Sequence, residues 1–229
     1  MLEDFPEKLA RANRVEQMAW VAKQHPLPEQ PARSLFDWPG DPRWYIDQRH
    51  RDWLQGVLMS GRFRRVLEIG CFHGYSTVAF LEALKAGAVD EVHLCDTTIT
   101  EQLERVLTHY NLPGVVVHHC RSVELLARES FDFVFVDGDH GAETCKEEAR
   151  LLIAAQARVV MAHDTSVAPL FPLCDGPQHL KQAFQAAGYG CLEDAVLREG
   201  EHTERGMFFA AAVREDYEIG LEQFRFIAP

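Results

Sequence analysis

The sequence predicts an α/β fold: a mainly parallel sheet of seven strands flanked by helices, ending in an antiparallel hairpin strand and preceded by a helical N-terminal segment. Three observations predict it. From Arg65 onward, short runs rich in β-branched and aromatic residues alternate with longer stretches of helical period, the pattern of βα units. The last two such runs are joined by the polar stretch REGEHTERG, which suits a hairpin. Residues 1–60 differ in character: Trp20, Trp38, Trp44 and Trp53 all lie there, and Pro26, Pro28, Pro31, Pro39 and Pro42 punctuate one short stretch.

Taken in order, helices are expected over 6–24 and 43–60, flanking a proline-rich loop from which continuous helix is sterically excluded. Strands follow at 65–69, 91–95, 115–119, 131–136 and 158–162. Between them the spacing predicts helices at 74–86, 100–109, 122–128 and 141–155; in the last, Cys145, Ala149 and Leu152 recur at helical intervals. A helix at 178–187 and two strands, 190–197 and 206–213, complete the chain. The expected organisation is an N-terminal helical, aromatic cap segment over 1–60 and one α/β domain over 61–229.

With 229 residues, one catalytic domain plus an appendage is the natural size. The formal net charge of −12 disfavours a nucleic-acid partner, whose phosphates require clustered Lys and Arg. No apolar run approaches the ~20 residues of a membrane helix, and the first residues carry mixed charges instead of a signal's apolar core, so a cytoplasmic location is expected. Six dispersed cysteines without a CxxC pair suggest reduced, mostly buried thiols. The expected partner is a small-molecule substrate, with homo-oligomer formation compatible.

Ligands of such sheets bind beyond the carboxyl ends of the strands. The first strand end reads Glu68-Ile69-Gly70-Cys71-Phe72-His73-Gly74, spacing its glycines as GxxxG without the GxGxxG of a pyrophosphate site. A ligand without phosphate needs only room and a few polar anchors. Gly70 would let the backbone approach it, Gly74 would let the next helix start close to the strand, and Tyr75 and Ser76 would offer polar contacts. A glycine turn alone also has a purely structural explanation. Asp96, at the end of the second strand, stands where α/β cofactor sites place an acid for ribose hydroxyls, and favours a cofactor site.

These residues carry a resemblance. VLEIGCFHGYST, residues 66–77, is similar to the first motif of class I S-adenosylmethionine-dependent methyltransferases, and closest to its form in catechol-type O-methyltransferases. The resemblance spans about 65–213 and implies the Rossmann-like methyltransferase fold. It further implies that Glu68, Gly70, Phe72, Tyr75 and Ser76 surround the methionine part of the cofactor, Asp96 its ribose and Ser122 the adenine edge. Cys120-Arg121 stand before Ser122 where relatives often have Gly-Asp.

The fourth strand ends in Asp137-Gly138-Asp139-His140 and the fifth in His163-Asp164. An acid at a strand end is often only a helix cap, and Asp139 fits that description. The DGDH and HD segments resemble a methyltransferase family that includes macrocin-type sugar O-methyltransferases and cephalosporin-biosynthesis relatives. That resemblance implies divalent-metal ligands at Asp137, His163 and Asp164 and a general base at His140. Methyl transfer from a sulfonium to oxygen is an in-line displacement, so the hydroxyl must be aligned and made more anionic. A metal lowers its pKa, and an imidazole can take its proton near neutrality. Oxygen ligands favour Mg²⁺, whereas His163 would suit Mn²⁺, Fe²⁺ or Zn²⁺. The expectation is therefore metal-assisted O-methylation of a sugar or phenol. A metal-dependent hydrolase or oxygenase, or a non-catalytic S-adenosylmethionine-binding protein, are the alternatives. Leu170 and Phe171 could wall the acceptor pocket. Trp38, Trp44, Tyr45 and Trp53 are expected to pack the N-terminal helices or a subunit interface, with an aromatic lid as the alternative.

Overall fold

A computed structural model describes residues 38–39, 45–46, 48–61, 63–165, 175–194 and 206–212. Its elements are α1 (Gln48–Ser60), β1 (Phe63–Ile69), α2 (Thr77–Lys85), β2 (Val89–Asp96), α3 (Glu101–Tyr110), β3 (Val115–His119) and α4 (Ser122–Leu126). They continue with β4 (Phe133–Val136), α5 (Ala142–Ala154), β5 (Val159–His163), α6 (Gly176–Ala186), β6 (Gly190–Asp194) and β7 (Met207–Ala211). The expected helix over 6–24, and Trp44, Leu170 and Phe171, lie outside the described residues.

The seven strands form one sheet in the order β3-β2-β1-β4-β5-β7-β6. β1 to β5 run parallel, and β7 inserts antiparallel between β5 and β6. This is the Rossmann-like methyltransferase arrangement, with the antiparallel hairpin at its end. Strand order reverses between β1 and β4, so the chains leaving their carboxyl ends diverge and open a crevice there.

Alternation along the strands builds a core on each face. Val66, Phe133, Phe135 and Met161 pack with residues of α1, α2 and α3, while Leu67, Ile69, Val134 and Val160 pack with α4, α5 and α6. Helix α1 belongs to the first core: Trp53, Leu54, Val57 and Leu58 are buried, and the Trp53 ring lies 6.2 Å from that of Phe209 on β7. Burying these side chains is worth about 1.5–3 kcal/mol for each large apolar residue, enough to hold α1 on the sheet.

Boundaries shift from the expected ones for local reasons. α2 begins at Thr77 instead of 74, because Gly70, Phe72 and Gly74 all adopt positive φ and no helix can start among them. β4 begins at Phe133, not 131, because the Asp132 carboxylate accepts hydrogen bonds from the backbone N–H groups of Arg64 and Arg65 and fixes a turn. β2 starts earlier, at Val89, and β5 extends through His163. Cys71, Cys95, Cys120, Cys145 and Cys191 are free thiols, three of them buried. Among the described residues no helix is long and apolar enough to cross a membrane.

Candidate active site

The turn after β1 is held from three sides. A Cβ on Gly70, whose φ is +85°, would overlap the backbone carbonyl of Asp137, so only glycine lets the ends of β1 and β4 lie this close. The Asp96 carboxylate accepts from the N–H groups of Cys71 (2.8 Å) and Phe72 (3.0 Å) through one oxygen and from Thr98 through the other. Thr100, which caps α3, donates to the Phe72 carbonyl. Phe72 is thereby fixed in a left-handed conformation and is 42 % exposed.

Glu68 shares a sheet face with Val66 and lies under α2. Its two oxygens accept from Ser76 Oγ (2.5 Å) and Thr77 Oγ1 (2.6 Å), and burial raises its pKa to about 8. It supports the turn from below and does not reach the space above it. Gly74 is likewise set back, against Leu103.

That space is a cavity of about 900 Å³. One part of its wall is Gly70, Phe72, Tyr75, Ser76, Asp96 and Ser122; another is Asp137, His140 and Asp164. Of the cofactor, metal and base residues expected from the sequence, Glu68, Gly74 and His163 do not line this wall. Tyr45 and Ile46, which precede α1, close it from the N-terminal side. The Tyr45 ring lies 5.9 Å from Phe72 and 5.3 Å from Tyr75, while Trp53 serves the core. Ser122 Oγ donates to Glu148 Oε1 at 2.5 Å; Glu148 is fully buried, which raises its pKa to about 7. Glu148 could have been noticed in the sequence, since it falls on the apolar face marked by Cys145, Ala149 and Leu152. Asp139 accepts from the Gly141 N–H and Thr144 Oγ1 and so organises the start of α5.

At the ends of β4 and β5 four charged side chains converge. His140 Nε2 lies 3.0 Å from Asp164 Oδ2 and 3.7 Å from Asp137 Oδ1; His163 Nδ1 lies 3.2 Å from Asp164 Oδ1 and 3.5 Å from Asp137 Oδ1. Burial opposes charge on both imidazoles, but the two carboxylates overcome it and raise each pKa to about 10. Burial likewise pushes Asp137 up, yet the imidazoles hold it below the usual carboxylate range. Without a metal, two protons neutralise the two acids. Despite these distances, the buried atoms His140 Nε2 and His163 Nδ1 are not aligned for hydrogen bonds. One ligand atom from each of Asp137, His163 and Asp164 falls within 4.8 Å of the others, so this mixed nitrogen and oxygen set could hold a divalent cation. Asp164 has a φ of +60°, a costly conformation for a non-glycine residue and one often found at functional sites. His50, unremarked in the sequence, enters from α1 and places Nδ1 3.1 Å from His163 Nε2, both residues fully buried.

A second group, His93, His118 and Glu129, also lies within ligand distance. Arg65 already occupies it, with its guanidinium 2.8 Å from Glu129 and 3.4 Å from His93, which disfavours a cation.

Residues 67–165, from within β1 to just past the end of β5, match the family described as a methyltransferase domain. No curated protein matches the chain. Among solved structures it is similar to an O-methyltransferase from Bacillus cereus in complex with SAH (15% identity, 93% of this chain and 100% of that one, TM-score 0.57). It is also similar to the O-methyltransferase TomG from Streptomyces achromogenes, in complex with SAM (20%, 87% and 90%, 0.57). A third is the N-methyltransferase NodS from Bradyrhizobium japonicum (11%, 72% and 94%, 0.56). The chain thus has the fold of these solved methyltransferases. That fold is shared by enzymes described as O-methyltransferases and as an N-methyltransferase, so it does not by itself define the acceptor atom.

Proposed function

We propose that the protein is an S-adenosylmethionine-dependent O-methyltransferase that acts, with a divalent cation, on a hydroxyl of a small molecule, a sugar or a phenol. One observation carries this reading: a single cavity joins the glycine turn and Asp96 to the cluster of Asp137, His140 and Asp164.

In this reading the bare backbone at Gly70 lets the cofactor lie close, Tyr75 and Ser76 contact its methionine part, and Asp96 keeps lone pairs for ribose hydroxyls while tethering the turn. Ser122 spends its proton on Glu148, so its remaining lone pairs suit a donor such as the adenine amino group. The buried Tyr45 ring shields the site from water, and the π faces of Tyr45 and Phe72 suit a sulfonium cation. Asp137, Asp164 and His163 would hold the cation. When bound, it would lower the pKa of the acceptor hydroxyl. His140 keeps its proton as long as Asp137 and Asp164 carry unneutralised charge. Once that charge is compensated, Nε2 is free to accept the hydroxyl proton.

The test is methyl transfer from labelled S-adenosylmethionine to a panel of phenols and sugars. Chelation is expected to stop it. His140→Ala should lower turnover by about 10²- to 10⁴-fold while S-adenosylhomocysteine affinity stays within a few-fold of wild type. Unaltered turnover in that variant would remove His140 from the base role.

A further inference from the structure

We infer that His50 is a positioning residue that makes His163 a metal ligand, so that α1 completes the cation site. The inference rests on the metal-assisted reading above. His163 is part of β5, registered against Met207 of β7, and its ring has no solvent contact. With the backbone fixed by the sheet, what remains open is which ring nitrogen carries the proton. To bind a cation, Nδ1, the nitrogen facing Asp137 and Asp164, must offer its lone pair, and the single proton must then sit on Nε2. A buried N–H needs an acceptor. Within 3.1 Å of Nε2 stands His50 Nδ1, its ring edge-on to that of His163 with centroids 5.2 Å apart. His163 Nε2–H donating to His50 Nδ1 fixes the tautomer in which Nδ1 faces the two acids.

This is the relation by which an outer hydrogen-bond partner orients a ligating histidine, and loss of such partners typically costs 10- to 100-fold in metal affinity. The consequence is specific: the site offers an imidazole nitrogen with two carboxylates, and it should take a transition ion such as Mn²⁺ more readily than Mg²⁺. His50 lies outside the segment 67–165 that matches the methyltransferase family, so the added ligand control comes from the part of the chain that precedes it.

The experiment titrates Mn²⁺ alone into the metal-free full chain, followed by calorimetry. Wild type should bind one ion. His50→Ala and His50→Phe, which remove the acceptor, should bind about 10- to 100-fold more weakly, and His50→Gln, whose side-chain carbonyl can accept, should recover most of the loss. A ¹⁵N spectrum of the Zn²⁺-loaded wild type, which needs no variant to fold, should show His163 protonated on Nε2. Wild-type Mn²⁺ affinity in folded His50→Phe, or a His163 proton on Nδ1, overturns the inference. Failure of the wild type to take up Mn²⁺ overturns it together with the metal-assisted reading, while S-adenosylhomocysteine binding in the same sample would leave the methyltransferase reading standing.

Discussion

Glu68 sits fully buried beneath the glycine turn, and its carboxyl has a folded-state pKa of about 8 against an ordinary value of 4.5. The folded protein therefore holds this proton more tightly than the unfolded chain. Its contribution to stability is fully present below pH 4.5 and is lost as pH rises toward 8. Glu68→Gln removes that titration while keeping a group able to bond both Ser76 and Thr77. Thermal denaturation between pH 5 and 8 should show wild type losing stability relative to the variant, on the order of a few kcal/mol across the window. Parallel profiles would contradict the assignment. At this scale, the site was partly legible in the sequence. Asp96, Asp137, His140 and Asp164 announced themselves as polar residues closing apolar strands. The position of Glu68 under α2 did not, because strand alternation states which face a residue takes and not what lies above it.

Among elements, the turn from Gly70 to Ser76 links fold to site. It brings β1 against β4, receives the Asp96 carboxylate and sets where α2 begins. Gly70→Ala would impose both a backbone clash and a strained φ, together costing at least about 1–3 kcal/mol. We expect a melting temperature lower by several degrees and loss of S-adenosylhomocysteine binding; an alanine variant with wild-type stability and binding would show that the close approach is dispensable. The strands were legible to within a few residues, since runs such as VVVHH and FDFVFV have no helical period. The start of α2 was not, because it depends on Phe72 adopting a left-handed conformation through bonds to Asp96 and Thr100, and nothing in a phenylalanine signals that.

Across the whole molecule, the part preceding β1 is joined to the rest more closely than its composition suggests. Helix α1 supplies Trp53 and Leu54 to the core, Tyr45 closes the cavity, and His50 meets His163 across 113 residues of sequence. Such a pairing has no local signature, as each histidine is unremarkable in its own segment. The parallel run of β1 to β5, by contrast, follows from the βα rhythm, and the sheet order brings the ends of β1, β2, β4 and β5 to one edge. That convergence puts the turn, Asp96 and the Asp/His cluster around one space, which in our proposal holds S-adenosylmethionine. Calorimetric titration of S-adenosylhomocysteine into the wild-type chain and Asp96→Ala tests it most directly. One saturable site per chain, weakened about tenfold or more by the substitution, is the predicted result, in line with the loss of hydrogen bonds to a charged group. No binding by the wild type, or equal affinity in the two proteins, would contradict it.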